Sequence, residues 1–227
     1  MRTVLGRLRK RFGDLLPPRR SDPLEELILT VLSQHTSDVN AERSFRSLRA
    51  AFPSWEDVVA APARAVADAI RSGGLADTKA PRMQAILREI HERRGAFDLA
   101  YLRDLDDDAA RAELLSLPGV GPKTAAVVLA FSLDRDAMPI DTHVHRVTRR
   151  LGWIPERTSA DKADRILHDL IPEGMRTELH VALIRHGREI CKAPIPLCHV
   201  CPLKDICPTA PRYLGNVTSK GSGAWSG

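Results

Sequence analysis

Lys123 follows Gly119-Val120-Gly121-Pro122, a neighbourhood that suits its amine to act beside a bound phosphate. Glycines on both sides of Val120 permit a tight turn whose backbone N–H groups point outward. Pro122 has its φ preset for the first position of a helix, which places Lys123 in the opening turn. A helix start carries unpaired donors and a partial positive charge, both suited to a phosphate. The same field disfavours the ammonium form of a lysine placed there. A grip on a charged backbone beside a nucleophilic lysine predicts covalent chemistry on nucleic acid.

Two further groups have chemical character. Asp141 lies 18 positions after Lys123, in Pro139-Ile140-Asp141-Thr142-His143. An aspartate directly before a helical pattern is a standard N-cap. A carboxylate fixed in that way can also accept a proton or stabilise a developing cation. The four cysteines form the third group, Cys191-x6-Cys198-x2-Cys201-x5-Cys207, with four soft ligands close together. Structural zinc sites usually pair two short Cys-x2–4-Cys knuckles, and only one such pair is present here. The spacing also differs from both ferredoxin patterns. Donor softness leaves zinc and an iron–sulfur cluster open and favours the cluster.

These groups need helices to hold them. Leu24, Leu27, Ile28, Val31 and Leu32 follow the spacing of a helix facing a core, and Asp22-Pro23 supplies its cap and first residue. Helical periodicity returns over 43–51, 55–61 and 64–71, then through Met83, Ile86, Leu87 and Ile90. Asp106-Asp107-Asp108 opens a short helix that ends near Leu117. With the turn and the apolar run after Pro122, it makes a helix-hairpin-helix over about 107–131. Further helices are expected at 142–151, 160–171 and 177–190, with no sustained period-2 alternation. The fold class is all-α.

Composition sets outer limits. The 227 residues suffice for one or two cores, and only 4% are aromatic, which favours helices over a β-sandwich. The net charge of +5 is compatible with a polyanion partner. Seven of the first 20 residues are Arg or Lys, read as a short basic amphipathic helix. No apolar run is long enough to span a membrane. Cysteines confined to one short segment argue for a metal site in a reducing compartment, hence the cytoplasm. From Asn216 the chain is rich in Gly and Ser and is expected to be a disordered tail.

Leu117–Ala126, Ile140-Asp141-Thr142-His143 and the cysteine spacing together resemble the helix-hairpin-helix DNA glycosylases, and within them the endonuclease III family. The likeness covers roughly residues 5–212. It implies a bifunctional DNA glycosylase and abasic-site lyase of base excision repair, acting on damaged bases, oxidised pyrimidines above all. Lys123 matches the family's nucleophile and Asp141 its catalytic aspartate. The base is flipped out of the duplex. The lysine displaces it at C1′, and the Schiff base permits β-elimination 3′ to the abasic site.

The same resemblance makes Cys191, Cys198, Cys201 and Cys207 ligands of a [4Fe–4S] cluster that folds the C-terminal end and holds basic residues toward DNA. Arg185, His186 and Arg188 precede that segment, and Lys192 follows its first cysteine. Gly119, Val120 and Gly121 would grip DNA, with His143 close to the aspartate. Leu75 matches the family's wedge into the strand opposite the lesion. A second wedge falls at Gln34-His35, where the family commonly has a small residue and then glutamine, so the glutamine is shifted by one.

The implied architecture is a helical barrel over 23–135 and a discontinuous cluster domain of 1–22 plus 136–212, with the DNA cleft between them and a tail at 213–227. A monomer on double-stranded DNA with damaged bases or abasic sites is expected, with no membrane partner, in the cytoplasm and nucleoid-associated in a bacterium. Two rival readings remain: a non-catalytic module that recognises damaged DNA, and a glycosylase for a mismatched thymine or uracil.

Overall fold

The computed structural model describes residues 1–13, 15 and 22–214. In chain order its α-helices are α1 (Arg2–Phe12), α2 (Pro23–Ser33), α3 (Asp38–Ala51), α4 (Trp55–Ala60), α5 (Ala63–Ala69) and α6 (Ala76–Arg94). Then follow α7 (Asp107–Ser116), α8 (Pro122–Phe131), α9 (Thr142–Arg150), α10 (Ala160–Leu170), α11 (Arg176–Glu189) and α12 (Ala210–Leu214). Short 3-10 turns occupy Arg71–Gly73, Ala100–Asp104 and Cys198–Val200. Among the described residues there is no strand, in keeping with the all-α expectation.

Backbone contacts divide the chain into two compact units, residues 18–137 and residues 1–17 with 138–227. In the 18–137 unit, α2 is the central rod. Its residues Leu24, Leu27, Ile28, Val31 and Leu32 are all buried, and it packs on α3, α6 and α8. Asp22 caps it by accepting the Leu24 and Glu25 N–H groups, each at 3.0 Å. Ser54 and Asp57 form a reciprocal capping box at α4. The apolar side chains of α6 complete the core together with Ala125, Val128 and Leu129 of α8.

In the second unit α1 packs on α11 and α11 on α9. Val4, Leu5 and Leu8 of α1 join Val144 and Val147 of α9 and Leu179, Ala182 and Leu183 of α11 in a separate core. Part of the basic face of α1 is held in exposed ion pairs, Arg7 with Asp205 and Arg9 with Glu178. Such pairs fix orientation more than stability.

Two boundaries differ from the sequence reading. α3 begins at Asp38 rather than near 43, because the Ser37 hydroxyl accepts the Asn40 N–H at 3.3 Å and starts a polar first turn. Periodicity of apolar residues does not register such a turn. At the other end Tyr213 and Leu214 close α12, while 215–227, the rest of the expected tail, lie outside the described residues.

Candidate active site and nucleic-acid interface

The hairpin begins where α7 stops at Leu117, whose N–H bonds the Leu114 carbonyl at 3.3 Å. The Val120 N–H then closes a turn on the Leu117 carbonyl at 3.1 Å. Gly119 sits at φ 74°, a left-handed conformation that a side chain resists. A Cβ there would also come within 3.1 Å of the Arg82 side chain. Gly121 is the N-cap of α8 and offers no capping side chain, so the opening donors of that helix are not closed off by it. A Cβ on Gly121 would meet nothing within 4 Å, so the ground outside this helix start is open.

Lys123 is exposed in the first turn of α8, while Thr124, Ala125 and Ala126 beside it are buried. The helix is thus fixed by its apolar face and leaves the amine outside. Val120 has a different place from its two neighbours. It is 6% exposed, its side chain belongs to the core, and its N–H is taken by Leu117.

Asp141 caps α9, its Oδ1 accepting the Val144 N–H at 2.7 Å. His143 follows in the first turn. Its Nδ1 lies 3.1 Å from Arg146 Nη2, and Gly187 of α11 passes so close that a Cβ would come within 2.9 Å of His143 Cβ. Burial holds the imidazole pKa below its usual value, and Arg146 and Arg188 add to this while the Asp141 charge opposes it.

The two wedge candidates both lie in the unit that carries the hairpin. Leu75 precedes α6 at φ 51° and is 56% exposed, an unusual state for a leucine. His35 follows α2 at φ 55° and is exposed. Gln34 is half-buried, and its Oε1 accepts from Arg82 Nη1 at 3.0 Å. Lys79 and Arg82 were not singled out by sequence reasoning as site residues. Lys79 is 3% exposed, and its ammonium donates to the Leu32 carbonyl at 2.6 Å and the Gly73 carbonyl at 2.9 Å. Burial lowers the Lys79 pKa from its ordinary value. A lysine in a largely polar stretch gives no sequence signal of burial.

All four cysteines line one pocket, walled by apolar side chains including Val147, Leu151, Ile190 and Leu203. Burial pushes the Cys201 thiol up to about 11. It also raises Cys198, with the Cys191 and Cys207 sulfurs adding to the effect. Arg150 Nη1 lies 3.3 Å from Cys191 Sγ, and the Leu203 N–H donates to Cys201 Sγ at 3.4 Å. Among the described residues no three His, Cys, Asp or Glu side chains converge as a set able to hold one metal ion.

His186 does not join the basic residues expected to reach outward. It is 2% exposed with Nε2 3.7 Å from Cys201 Sγ, and burial, helped by Arg146, lowers its pKa to about 4. Lys192 is exposed, with its carbonyl accepting from Arg150 Nη1 at 2.8 Å.

Comparisons with known proteins follow the same residues. The family model described as HhH-GPD superfamily base excision DNA repair protein matches residues 28–173. A protein of Arabidopsis thaliana named as a candidate DNA glycosylase is 40% identical over 168 residues, 74% of this chain and 57% of its own length. The chain therefore spans less than two thirds of that plant relative. The endonuclease III of Thermotoga maritima is 36% identical over 189 residues, 83% of this chain and 84% of the relative. A solved structure of a trapped endonuclease III–DNA covalent intermediate superposes with a TM-score of 0.80 at 32% identity. That match covers 94% of this chain and 96% of the solved one. Among the described residues no helix is long and apolar enough to cross a membrane.

Proposed function

Because the chain belongs to the HhH-GPD superfamily of base excision DNA repair proteins, we propose that it excises damaged bases and nicks the resulting abasic site with Lys123 as nucleophile. It is a DNA glycosylase and abasic-site lyase of the endonuclease III kind, and its partner is double-stranded DNA carrying a damaged base or an abasic site. The observation that carries the assignment is Lys123, an exposed amine on the first turn of α8 above an uncapped helix start.

The start of α8, with Gly119 and Gly121 opening the turn, binds backbone phosphate. The Lys123 amine attacks C1′ of the flipped nucleotide as the C1′–N bond breaks and its electron pair leaves with the base, which takes up a proton. Asp141, fixed by its bond to the Val144 N–H, stabilises the cationic character of the sugar. Loss of a proton from the amine and ring opening give an imine between Lys123 Nζ and C1′. Removal of a C2′ proton then expels the 3′ phosphate by β-elimination, and water releases the enzyme.

The four thiols fit a [4Fe–4S] cluster. Four soft donors around one apolar-walled space repel as thiolates and are stabilised together by a cationic group among them. When bound, the cluster ties four positions of the C-terminal segment together, and with every thiol engaged it offers no place for substrate.

The test is a panel of duplexes carrying thymine glycol, dihydrouracil, 8-oxoguanine, uracil or an abasic site, with borohydride trapping in parallel. Base release from the oxidised pyrimidines with a trapped adduct is expected. Tight abasic-site binding without turnover would leave only a recognition module, and preference for uracil or mismatched thymine would reassign the substrate. The same preparation should show a broad absorption near ~400 nm, whereas a zinc protein is colourless there.

Of the second wedge pair, His35 is the residue offered to DNA, since the Gln34 carbonyl oxygen is engaged by Arg82. His35→Ala should slow excision from duplex by about tenfold, and Gln34→Ala by less than about threefold. Single-turnover rates for the two variants decide it, and the reverse order would assign the wedge to Gln34.

A further inference from the structure

We propose that Lys79 is a positioning residue whose buried ammonium sets the register between the two loops that enter the duplex. This deepens the foregoing function and rests on reading Leu75 and His35 as the strand-entering side chains. Both residues adopt left-handed backbone, at φ 51° and 55°. Non-glycine residues persist there only where the surroundings over-determine them. Leu75 is also exposed, so its own side chain does not supply that restraint.

The restraint comes from below. One ammonium donates to the Gly73 carbonyl, two residues before Leu75, and to the Leu32 carbonyl, three residues before His35. The contacts are 2.9 and 2.6 Å, and the side chain that makes them is 3% exposed. A buried cation surrendering water in this way is held by its hydrogen bonds, so both carbonyls are drawn to a single point.

Neighbouring groups secure the same loops. Ser44 Oγ donates to the Ile70 carbonyl at 3.3 Å and lies 2.8 Å from Ser72 Oγ. It also lies where a Cβ on Gly73 would approach to 2.7 Å, so the loop is seated flush on α3. On the next turn of α6, Arg82 bonds Gln34 and lies beneath Gly119 of the hairpin. α6 thereby connects the Leu75 loop, the Gln34-His35 turn and the phosphate-binding hairpin, with Lys79 fixing the first two relative to each other.

The experiment compares the parent protein with Lys79→Met, which keeps the stem and removes the donors. Duplexes carry an abasic analogue with 2-aminopurine opposite, whose fluorescence rises when it is unstacked. A single-stranded abasic oligonucleotide, which has no opposite strand to enter, serves as the second substrate. Lys79→Met should lose most of the fluorescence rise and, on a duplex carrying thymine glycol, excise the base about a hundredfold more slowly. Trapping on the single strand should stay within about twofold of the parent.

Unchanged fluorescence and duplex excision would overturn the proposal. So would an equal loss on both substrates, which marks a general structural role. If Lys79→Met does not fold by circular dichroism, Lys79→Gln, whose uncharged amide is one bond too short to reach both carbonyls, is read by the same criteria. A parent protein that raises fluorescence without any borohydride adduct instead refutes the lysine chemistry and leaves the register question intact.

Discussion

Lys123→Gln should abolish borohydride trapping on an abasic duplex and slow strand nicking by at least about 1,000-fold, roughly 4 kcal/mol of transition-state stabilisation. Glutamine has no amine to form the imine, so the adduct has no route. The loss should not reflect unfolding, because the side chain is exposed and the core face of α8 is made by Ala125, Ala126 and Val128. Substitutions at such surface positions change stability by about 0.5 kcal/mol or less. Duplex affinity should also change little, since the grip proposed for the helix start uses backbone N–H groups. A variant that binds normally, melts normally and still yields the borohydride adduct would remove Lys123 from its role.

Asp141 allows its charge and its capping role to be separated. Asparagine caps a helix about as well as aspartate. Asp141→Asn should keep the bond to the Val144 N–H and the melting temperature, yet lower base excision by about 100- to 10,000-fold through the lost charge. Asp141→Ala should lose a similar factor and also about 1 kcal/mol of stability from the missing cap. Single-turnover excision and thermal melts of both variants test this. An asparagine variant within about threefold of the parent would reduce Asp141 to a cap.

The parts of this molecule that sequence reveals are those written by local rules. Asp22-Pro23 starts α2 where the chemistry of caps places it, and Gly121-Pro122 opens α8 with Lys123 in its first turn. Asp141 is a cap as its position before an apolar pattern implies. What stayed hidden depends on partners distant along the chain. Lys79 meets Leu32 and Arg82 meets Gln34, each more than 40 positions away, and nothing local marks a lysine as buried. His186 follows an arginine and reads as surface, yet α11 turns it inward against Cys201. The left-handed backbone at Leu75 is equally silent in sequence, because leucine does not favour it.

α9 has Asp141 at its head and Arg150 at its foot, where the guanidinium donates to the Lys192 and Pro194 carbonyls and reaches Cys191 Sγ. Arg146, midway, donates to the carbonyls of Gly187 and Cys191. A helix of nine residues is a rod of about 14 Å that transmits displacement with little bending. The carboxylate proposed to act in base excision is therefore mounted on the same rod that braces the cysteine segment. If the proposed cluster is present, an oxidant that damages it would loosen the foot of the rod and move its head. Excision would then fall under oxidising conditions, and its recovery would wait on rebuilding the pocket.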